Sequence, residues 1–341
     1  MDRDKMISIL QWWEETPQEI KAVGDVYQVD TGRGKICLKE VTGSMDRVLM
    51  MMDAMNYVKS RGFSLMAPCI PARDGRMVVP DHQTYYFVQE WMEGREPDYR
   101  NAGDMSLAAE AVAQFHRASI GFTPGKGYQA KNKLGKWPQK LKEKTDDLKK
   151  FLHLARSVPQ PKELEREFRE HGDWLLDQAA ESTDRLAQSR YQDLVEEARD
   201  WGTLVHGDTA ARNFVLFQEK IYLIDFDAIA IDIHVTDLWR LLRRTLWRNH
   251  WDMSLTARVL KAYGKFVPLE SKHMEVLLAF LQFPEIPWRI VKEYYEKKHE
   301  HFWNEPYLTE KFAYYVHQYR EIERFLKAFA AMIYSWPEVN P

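Results

Sequence analysis

His206-Gly207-Asp208-Thr209-Ala210-Ala211-Arg212-Asn213, followed beyond one short apolar segment by Ile224-Asp225-Phe226-Asp227, decides the reading of this chain. An Asp, an Asn five residues on and a second Asp at the end of an apolar strand form a recurring phosphoryl-transfer set. One carboxylate receives the proton of an attacking hydroxyl, while the amide and the second carboxylate hold Mg²⁺ against nucleotide phosphates. Asp and Asn also favour turns and caps for purely local reasons. The His-Gly-Asp triplet alone would therefore carry little; Asn213 and Asp225 at their spacings give it weight. Residues 204–205, 214–217 and 221–224 are short and apolar and predict strands that display the loop between them. Asp208 is expected as the base, and Asn213 and Asp225 as metal ligands. His206 is expected at the catalytic site, orienting the loop through its ring rather than transferring protons. Asp227 reads as holding the loop, and Asp237 as a helix-start carboxylate that accepts backbone N–H groups.

Upstream, the first ninety or so residues read as strand-rich with one helix. Residues 26–29 and 35–41 alternate with period two around the turn Asp30-Thr31-Gly32-Arg33-Gly34, which predicts a hairpin. Residues 47–61 predict a Met-rich helix closed by Gly62. Residues 76–80 and 84–91 predict a second strand pair joined around Asp81-His82, and Glu93-Gly94-Arg95-Glu96-Pro97 a hinge. Beyond it the periodicity is helical: residues 104–118, then 141–198 with a break at Pro159-Gln160-Pro161, then everything from His234 on. Phe312, Tyr315, Tyr319, Ile322, Leu326 and Phe329 are spaced as one buried face of a single last helix. The expected fold is α+β: a small antiparallel sheet lobe with one helix over residues 1–92, and a large mainly helical lobe over 93–341.

On β-lobe residues 36–41, Cys37 and Lys39 share one strand face, so Lys39 is the candidate cation for nucleotide phosphates. The bland alternative is a surface lysine on an edge strand. Gly24-Asp25-Val26 is the remnant of a glycine-rich loop, with Val26 packing on a base, although one glycine makes a weak signal. Asp53 is the only mid-helix carboxylate placed to pair with Lys39, because no Glu occurs between Glu40 and Glu90.

Composition bounds the alternatives. At 341 residues, 45% hydrophobic and 29% charged, the chain is long and apolar enough for a substantial core. A formal net charge of −3 argues for neither nucleic acid nor an anionic membrane, and neither is expected as a partner. Cys37 and Cys69 stand far apart with no metal or disulfide spacing, which suits a reducing compartment. The N-terminus carries no apolar signal segment, and no apolar run spans a membrane. Trp239, Trp247, Trp251 and Trp288 are either core or a cationic-substrate pocket, with core packing favoured. His299 and His301, two apart on a predicted helix, face different ways and do not share a metal. The basic run Lys131, Lys133, Lys136 and Lys140 reads as a solvated face. GxSxG and HExxH are absent.

Together, HGDxxxxN at 206–213, Ile224-Asp225-Phe226-Asp227, the hinge-like Phe87-Val88-Gln89-Glu90-Trp91-Met92-Glu93-Gly94 and Lys39 resemble the aminoglycoside phosphotransferase and choline kinase-like branch of the protein-kinase fold. Ile36-Cys37-Leu38-Lys39, Phe115-His116-Arg117-Ala118-Ser119 and the run from Asp225 to His234-Val235-Thr236-Asp237-Leu238 further resemble the spore-coat-protein-S family of spore-forming Firmicutes. The resemblance implies an ATP- and Mg²⁺-dependent kinase of a small-molecule hydroxyl. It places Lys39 on the α- and β-phosphates, Gln89, Glu90 and Trp91 on the adenine, and Val26, Cys37 and Asp53 around the nucleotide. It also implies a mother-cell cytoplasmic protein assembled with other spore coat proteins. The alternative it carries is a kinase-fold coat protein with little or no catalysis. A protein kinase is disfavoured, because Gly207 stands where those enzymes carry Arg and no APE segment follows.

Overall fold

The computed structural model describes residues 3–296 and 304–336. The chain forms two compact units, one of Met1–Asn132 with Gly202–Ile231, the other of Lys133–Trp201 with Asp232–Pro341.

The first unit opens with α1 (Arg3–Leu10), β1 (Pro17–Val23), β2 (Val26–Thr31), β3 (Gly34–Thr42), α2 (Met45–Ser60), β4 (Cys69–Ile70), β5 (Val79–Asp81) and β6 (Thr84–Glu90). The antiparallel sheet runs β1-β2-β3-β6-β4, with β5 also on β6. The expected hairpin is present, with Val26 opposite Lys39 and Thr31 opposite Gly34. Its turn is closed by the Thr31 hydroxyl, which accepts from the Arg33 N–H and donates to the Gly34 carbonyl. Period two sorts the faces of β3. Ile36 and Leu38 enter a cluster with Met6, Ile9, Leu10 and Trp13, which leaves Cys37 and Lys39 for the opposite face. β1 was not expected, because five of its seven residues are exposed and no alternation marks it. Helix α2 starts at Met45 behind the Ser44 cap, two residues ahead of the expected Arg47, and is followed by Gly62 at φ +87°, the expected closure.

Helix α3 (Ala102–Ser119) follows, capped by the Asn101 side chain on the N–H groups of Gly103 and Asp104. The unit is completed by β7 (Leu204–Val205), β8 (Phe214–Phe217), β9 (Lys220–Leu223) and β10 (Ala230–Ile231), paired as β8 with β9 and β7 with β10. The compact units therefore divide elsewhere than at residue 92. Arg95 and Leu216 exchange backbone hydrogen bonds of 3.1 and 2.7 Å, and the Leu223 N–H reaches the Leu65 carbonyl at 2.8 Å. Gly94, at φ +145°, lies so close to Leu216 that a Cβ would meet its carbonyl. This lacing draws the hinge and the β8–β9 hairpin into the sheet's unit.

The second unit is helical throughout its described residues: α4 (Trp137–Ser157), α5 (Glu163–Gln188), α6 (Tyr191–Trp201), α7 (Val235–Leu246), α8 (Met253–Gly264), α9 (Ser271–Gln282), α10 (Glu285–Glu296), α11 (Glu305–Val316) and α12 (Tyr319–Tyr334). The Pro159-Gln160-Pro161 break falls between α4 and α5. The single last helix expected from the spacing is in fact two. At Gln318 the backbone leaves the helical region, and its side chain donates to the Tyr314 carbonyl at 2.8 Å. Phe312, Tyr315, Ile322, Leu326 and Phe329 are all buried across the break, so the apolar rhythm survives it and hid it. Trp239, Trp247 and Trp251 are buried, and cations of the chain itself lie over the rings of Trp239, Trp247 and Trp288. Arg243 lies 4.8 Å from Trp239, Arg248 5.1 Å from Trp247 and Lys144 4.4 Å from Trp288. His299 and His301 lie outside the described residues. No helix among the described residues is long and apolar enough to cross a membrane.

Leu38 is fully buried on the packed face of β3. Leu38→Ala is expected to lower unfolding free energy by about 2–5 kcal/mol in urea titrations, the range for a buried leucine that leaves a cavity.

Candidate active site

The His206–Asp225 region is stitched into a circuit within the first unit. The buried His206 ring donates from Nε2 to the Ile224 carbonyl at 3.0 Å. The Ile224 N–H donates to the Asn213 carbonyl at 3.0 Å, and Asn213 Nδ2 to the Asp208 carbonyl at 2.9 Å. A carbonyl only accepts, so the first bond fixes the proton on Nε2. Behind the circuit, Phe115 of α3 lies 5.8 Å from Phe226 and 6.4 Å from His206, and the Phe226 ring is 4.9 Å from His206. The Tyr99 hydroxyl donates to the Thr209 carbonyl on the other side of Asp208.

Gly207 explains its own place in the motif. It sits at φ +85°, and a Cβ there would run into the Ala228 carbonyl of the neighbouring loop. Asp225 also takes a left-handed conformation, φ 63° and ψ 70°, unusual for a residue with a Cβ. Strain of this kind persists only where surrounding contacts over-determine it, and it gathers at functional sites.

The Asp208 carboxylate is a quarter exposed and accepts from Arg212 at 3.0 Å. Asn213 is buried and spends its Nδ2 on Asp208; among the described residues no donor meets its Oδ1. Asn213 Oδ1 and the Asp225 carboxylate form an all-oxygen donor set, which fits a hard cation such as Mg²⁺.

Lys39 is buried, and its Nζ stands 2.6 Å from Asp225 Oδ1 and 3.5 Å from Asp227 Oδ1. Burial works against the ammonium, but the charges of Asp227 and Asp225 outweigh it and hold its pKa above the usual lysine value. At Asp225 burial pushes the carboxyl up, and Lys39, with lesser help from His206 and Arg212, brings it below the usual carboxylate range.

The expected Lys39–Asp53 pair does not form. Asp53 accepts from the Tyr128 hydroxyl at 2.6 Å, and Asp46 from the Gln129 N–H at 3.0 Å, so the loop after α3 takes both acids of α2. A basic residue of α2 makes the connection instead: Arg47 lies 3.5 Å from Asp227. Arg47 was missed in the sequence. Its signal was a cation in the first turn of a helix, where the macrodipole disfavours one.

On the nucleotide side, Val26 closes a two-residue Gly24-Asp25 hairpin against Val23 and is half-buried. Gln89 is opposite Cys37 on one side and Cys69 on the other, and its side chain donates to the Ala67 carbonyl at 3.0 Å. The expectation for residues 89–91 shifts. The Glu90 N–H is spent on the Pro68 carbonyl and the Trp91 N–H on the Lys35 carbonyl, whereas Met92 N–H finds no backbone acceptor among the described residues.

Comparison with known proteins gives this geometry its relatives. The phosphotransferase enzyme family matches residues 19–276, most of the chain. The chain belongs to that family. It is 25% identical over 283 residues to spore coat protein S of Bacillus subtilis, covering 83% of this chain and 80% of that one. An aminoglycoside phosphotransferase of Alicyclobacillus acidocaldarius superposes with a TM-score of 0.84 at 21% identity, over 96% of this chain and 95% of the other. Spectinomycin phosphotransferase in complex with ADP and spectinomycin has a TM-score of 0.68 at 13% identity, over 97% and 99%. The kinase-like fold of this family, with its small antiparallel sheet and large helical part, is thus the fold of this chain.

Two measurements probe the site. Gly207→Ala is expected to cost about 1–3 kcal/mol from the backbone conformation alone, with the Ala228 clash added, read as a lowered urea midpoint. Burial pushes the Cys37 and Cys69 thiols up to about 11. At pH 8 roughly a thousandth of each is thiolate. Alkylation of the folded chain should therefore be slow and gain about tenfold per pH unit up to that value, whereas fast labelling at pH 8 would contradict it.

Proposed function

We propose that the chain is a small-molecule kinase that moves the γ-phosphoryl group of ATP to a hydroxyl, with Asp208 as the base. The observation that carries this reading is the circuit through Asn213, which couples the Asp208 loop to the Asp225 loop by single hydrogen bonds. Phosphoryl transfer demands chiefly positioning and charge stabilisation, and such a coupling supplies the first.

In this reading Asp208 accepts the acceptor's hydroxyl proton as the oxygen bonds to the γ-phosphorus and the bond to ADP breaks. Asn213 Oδ1 and the Asp225 carboxylate would hold Mg²⁺, which would supply charge neutralisation for the phosphates. Lys39 meets the α- and β-phosphates, with Cys37 on the same strand face beside the nucleotide. The Met92 N–H, next to Gln89, Glu90 and Trp91, is the donor for adenine. His206 keeps the two loops in register and moves no proton. Lys39 now rests on Asp225, so filling the site exchanges one anionic partner of the lysine for another. The ADP held by spectinomycin phosphotransferase supports a nucleotide in this fold.

A second reading, a coat-assembled protein with weak catalysis, is favoured by the Gly24-Asp25 hairpin standing where a longer glycine-rich loop would cover phosphates. Likeness to spore coat protein S supports the same setting.

Asp208→Asn should cut turnover by about 10²–10⁴-fold, the usual share of a general base, with an unchanged melting temperature. Undiminished turnover in that variant would remove Asp208 as base. ATP with Mg²⁺ at a hundred times its Kd should stabilise the wild-type chain by about 2.7 kcal/mol. No metal-dependent shift at any nucleotide concentration would favour the coat protein without catalysis.

A further inference from the structure

The second unit contains a cavity of about 240 Å³ between α7, α10 and α11, whose charges no part of the proposed reaction uses. Among the described residues five cationic side chains line it, Arg243 and Arg244 of α7, Arg248 just beyond that helix, Arg289 of α10 and Lys311 of α11, against one carboxylate, Glu293. The chain as a whole is slightly acidic, so this concentration of one sign is local. Like charges so placed repel one another and lower stability unless an anion joins them.

Arg243 is the second, independent observation. It is only 8% exposed, yet among the described residues neither its Nε nor its Nη1 has a hydrogen-bond acceptor. Its nearest carboxylate oxygen, Glu285 Oε1, lies 3.4 Å from Nη1 as an ion pair without a hydrogen bond, while Lys144 takes the other oxygen, Oε2, at 2.6 Å. Desolvation lowers the Arg243 pKa to about 10; Glu285 opposes that fall, while Arg244, Arg289 and Arg240 add to it. A buried guanidinium with unmet donors costs free energy, and an oxyanion that accepts from it removes the cost.

We propose that this cavity is a binding site for a phosphate group, carried by inorganic phosphate or by a small phosphorylated metabolite. Arginines present paired donors that match the oxygens of a phosphate. The volume is below the roughly 300–1,000 Å³ typical of drug-sized ligands, which suits a phosphoryl group or a small phosphomonoester rather than a polymer. Trp247 and Tyr307 supply an aromatic border, and Lys311 lies 4.3 Å from the Tyr307 ring. The site is independent of the proposed kinase chemistry.

The test is isothermal titration calorimetry of the full chain with inorganic phosphate and with phenyl phosphate, at constant ionic strength. It is run with and without saturating ATP analogue and Mg²⁺. Saturable binding that persists beside the analogue is expected. Arg289→Gln and Lys311→Gln, neither of them buried, should each weaken it about tenfold or more, the effect of losing one charge-assisted contact, with the melting temperature of the unliganded chain held or raised. Phosphate binding alone identifies inorganic phosphate as the ligand; tighter phenyl phosphate binding identifies a phosphomonoester. Absence of saturable binding, or wild-type affinity in both variants, overturns the site, and loss of binding only when the analogue is present assigns the phosphate to the nucleotide region instead.

Discussion

A buried ammonium organises the first unit. Removing an amino cation from water costs on the order of several kcal/mol when it is unpaired, and Lys39 sits on the middle strand of the sheet with almost no exposure. Its charge is met by Asp225 at 2.6 Å and Asp227 at 3.5 Å, both from one short segment after β9. That segment is thereby held against β3, and Arg47 holds α2 to the same segment through Asp227. The pair is stable over a wide pH window. Asp225 has a lowered pKa, so its contribution is present above the usual carboxylate value of about 3.9 and fades as pH falls through the folded value. Lys39 has a raised pKa, so its share is complete below about 10.5 and fades only as pH rises through the folded value. Neutral solution lies well inside both limits.

Once the Asp225 segment is fixed, the Asp208 loop follows. Two non-standard backbone conformations, at Gly207 and Asp225, turn the loops toward each other, and only the missing side chain of Gly207 lets the Ala228 carbonyl approach. Left-handed backbone at a residue with a Cβ costs roughly 1–3 kcal/mol. The cost at Asp225 is offset by the Phe115, His206 and Phe226 rings packed behind it and by the three hydrogen bonds of the circuit. His206 therefore holds the Asp225 segment through the carbonyl that precedes it.

Much of this was legible in the sequence wherever one residue type answers a local demand. The strands around the loop, the Lys39 face of β3, the Gly62 end of α2 and the break at Pro159-Gln160-Pro161 all carry period, cap or breaker signals. What escaped depends on partners distant in the chain. Asp53 was assigned to Lys39 by elimination among acids of one helix, whereas the acids that answer Lys39 come from nearly two hundred residues away. Strand β1 carries too little burial to alternate, and the α11–α12 turn preserves the apolar rhythm across it. The donor at Met92 became visible only when the acceptors of its neighbours were known.

The corrected lysine partnership changes what the departures from the kinase pattern mean. Without a glutamate on α2, the lysine would be expected to lack an anchor and the nucleotide a cation held in place. The structure supplies the anchor from the other direction: Asp227 receives Lys39 and Arg47 together, so helix, strand and the segment after β9 meet at one carboxylate. A helix glutamate holds a lysine wherever the metal loop lies, but an aspartate within that loop holds it only when the loop is in position. In the proposed kinase, the cation for the phosphates and the ligands for the metal are therefore assembled as one group. In that proposed kinase, the short Gly24-Asp25 hairpin would leave the phosphates less covered and place more of their binding on Lys39 and the Asp225 segment.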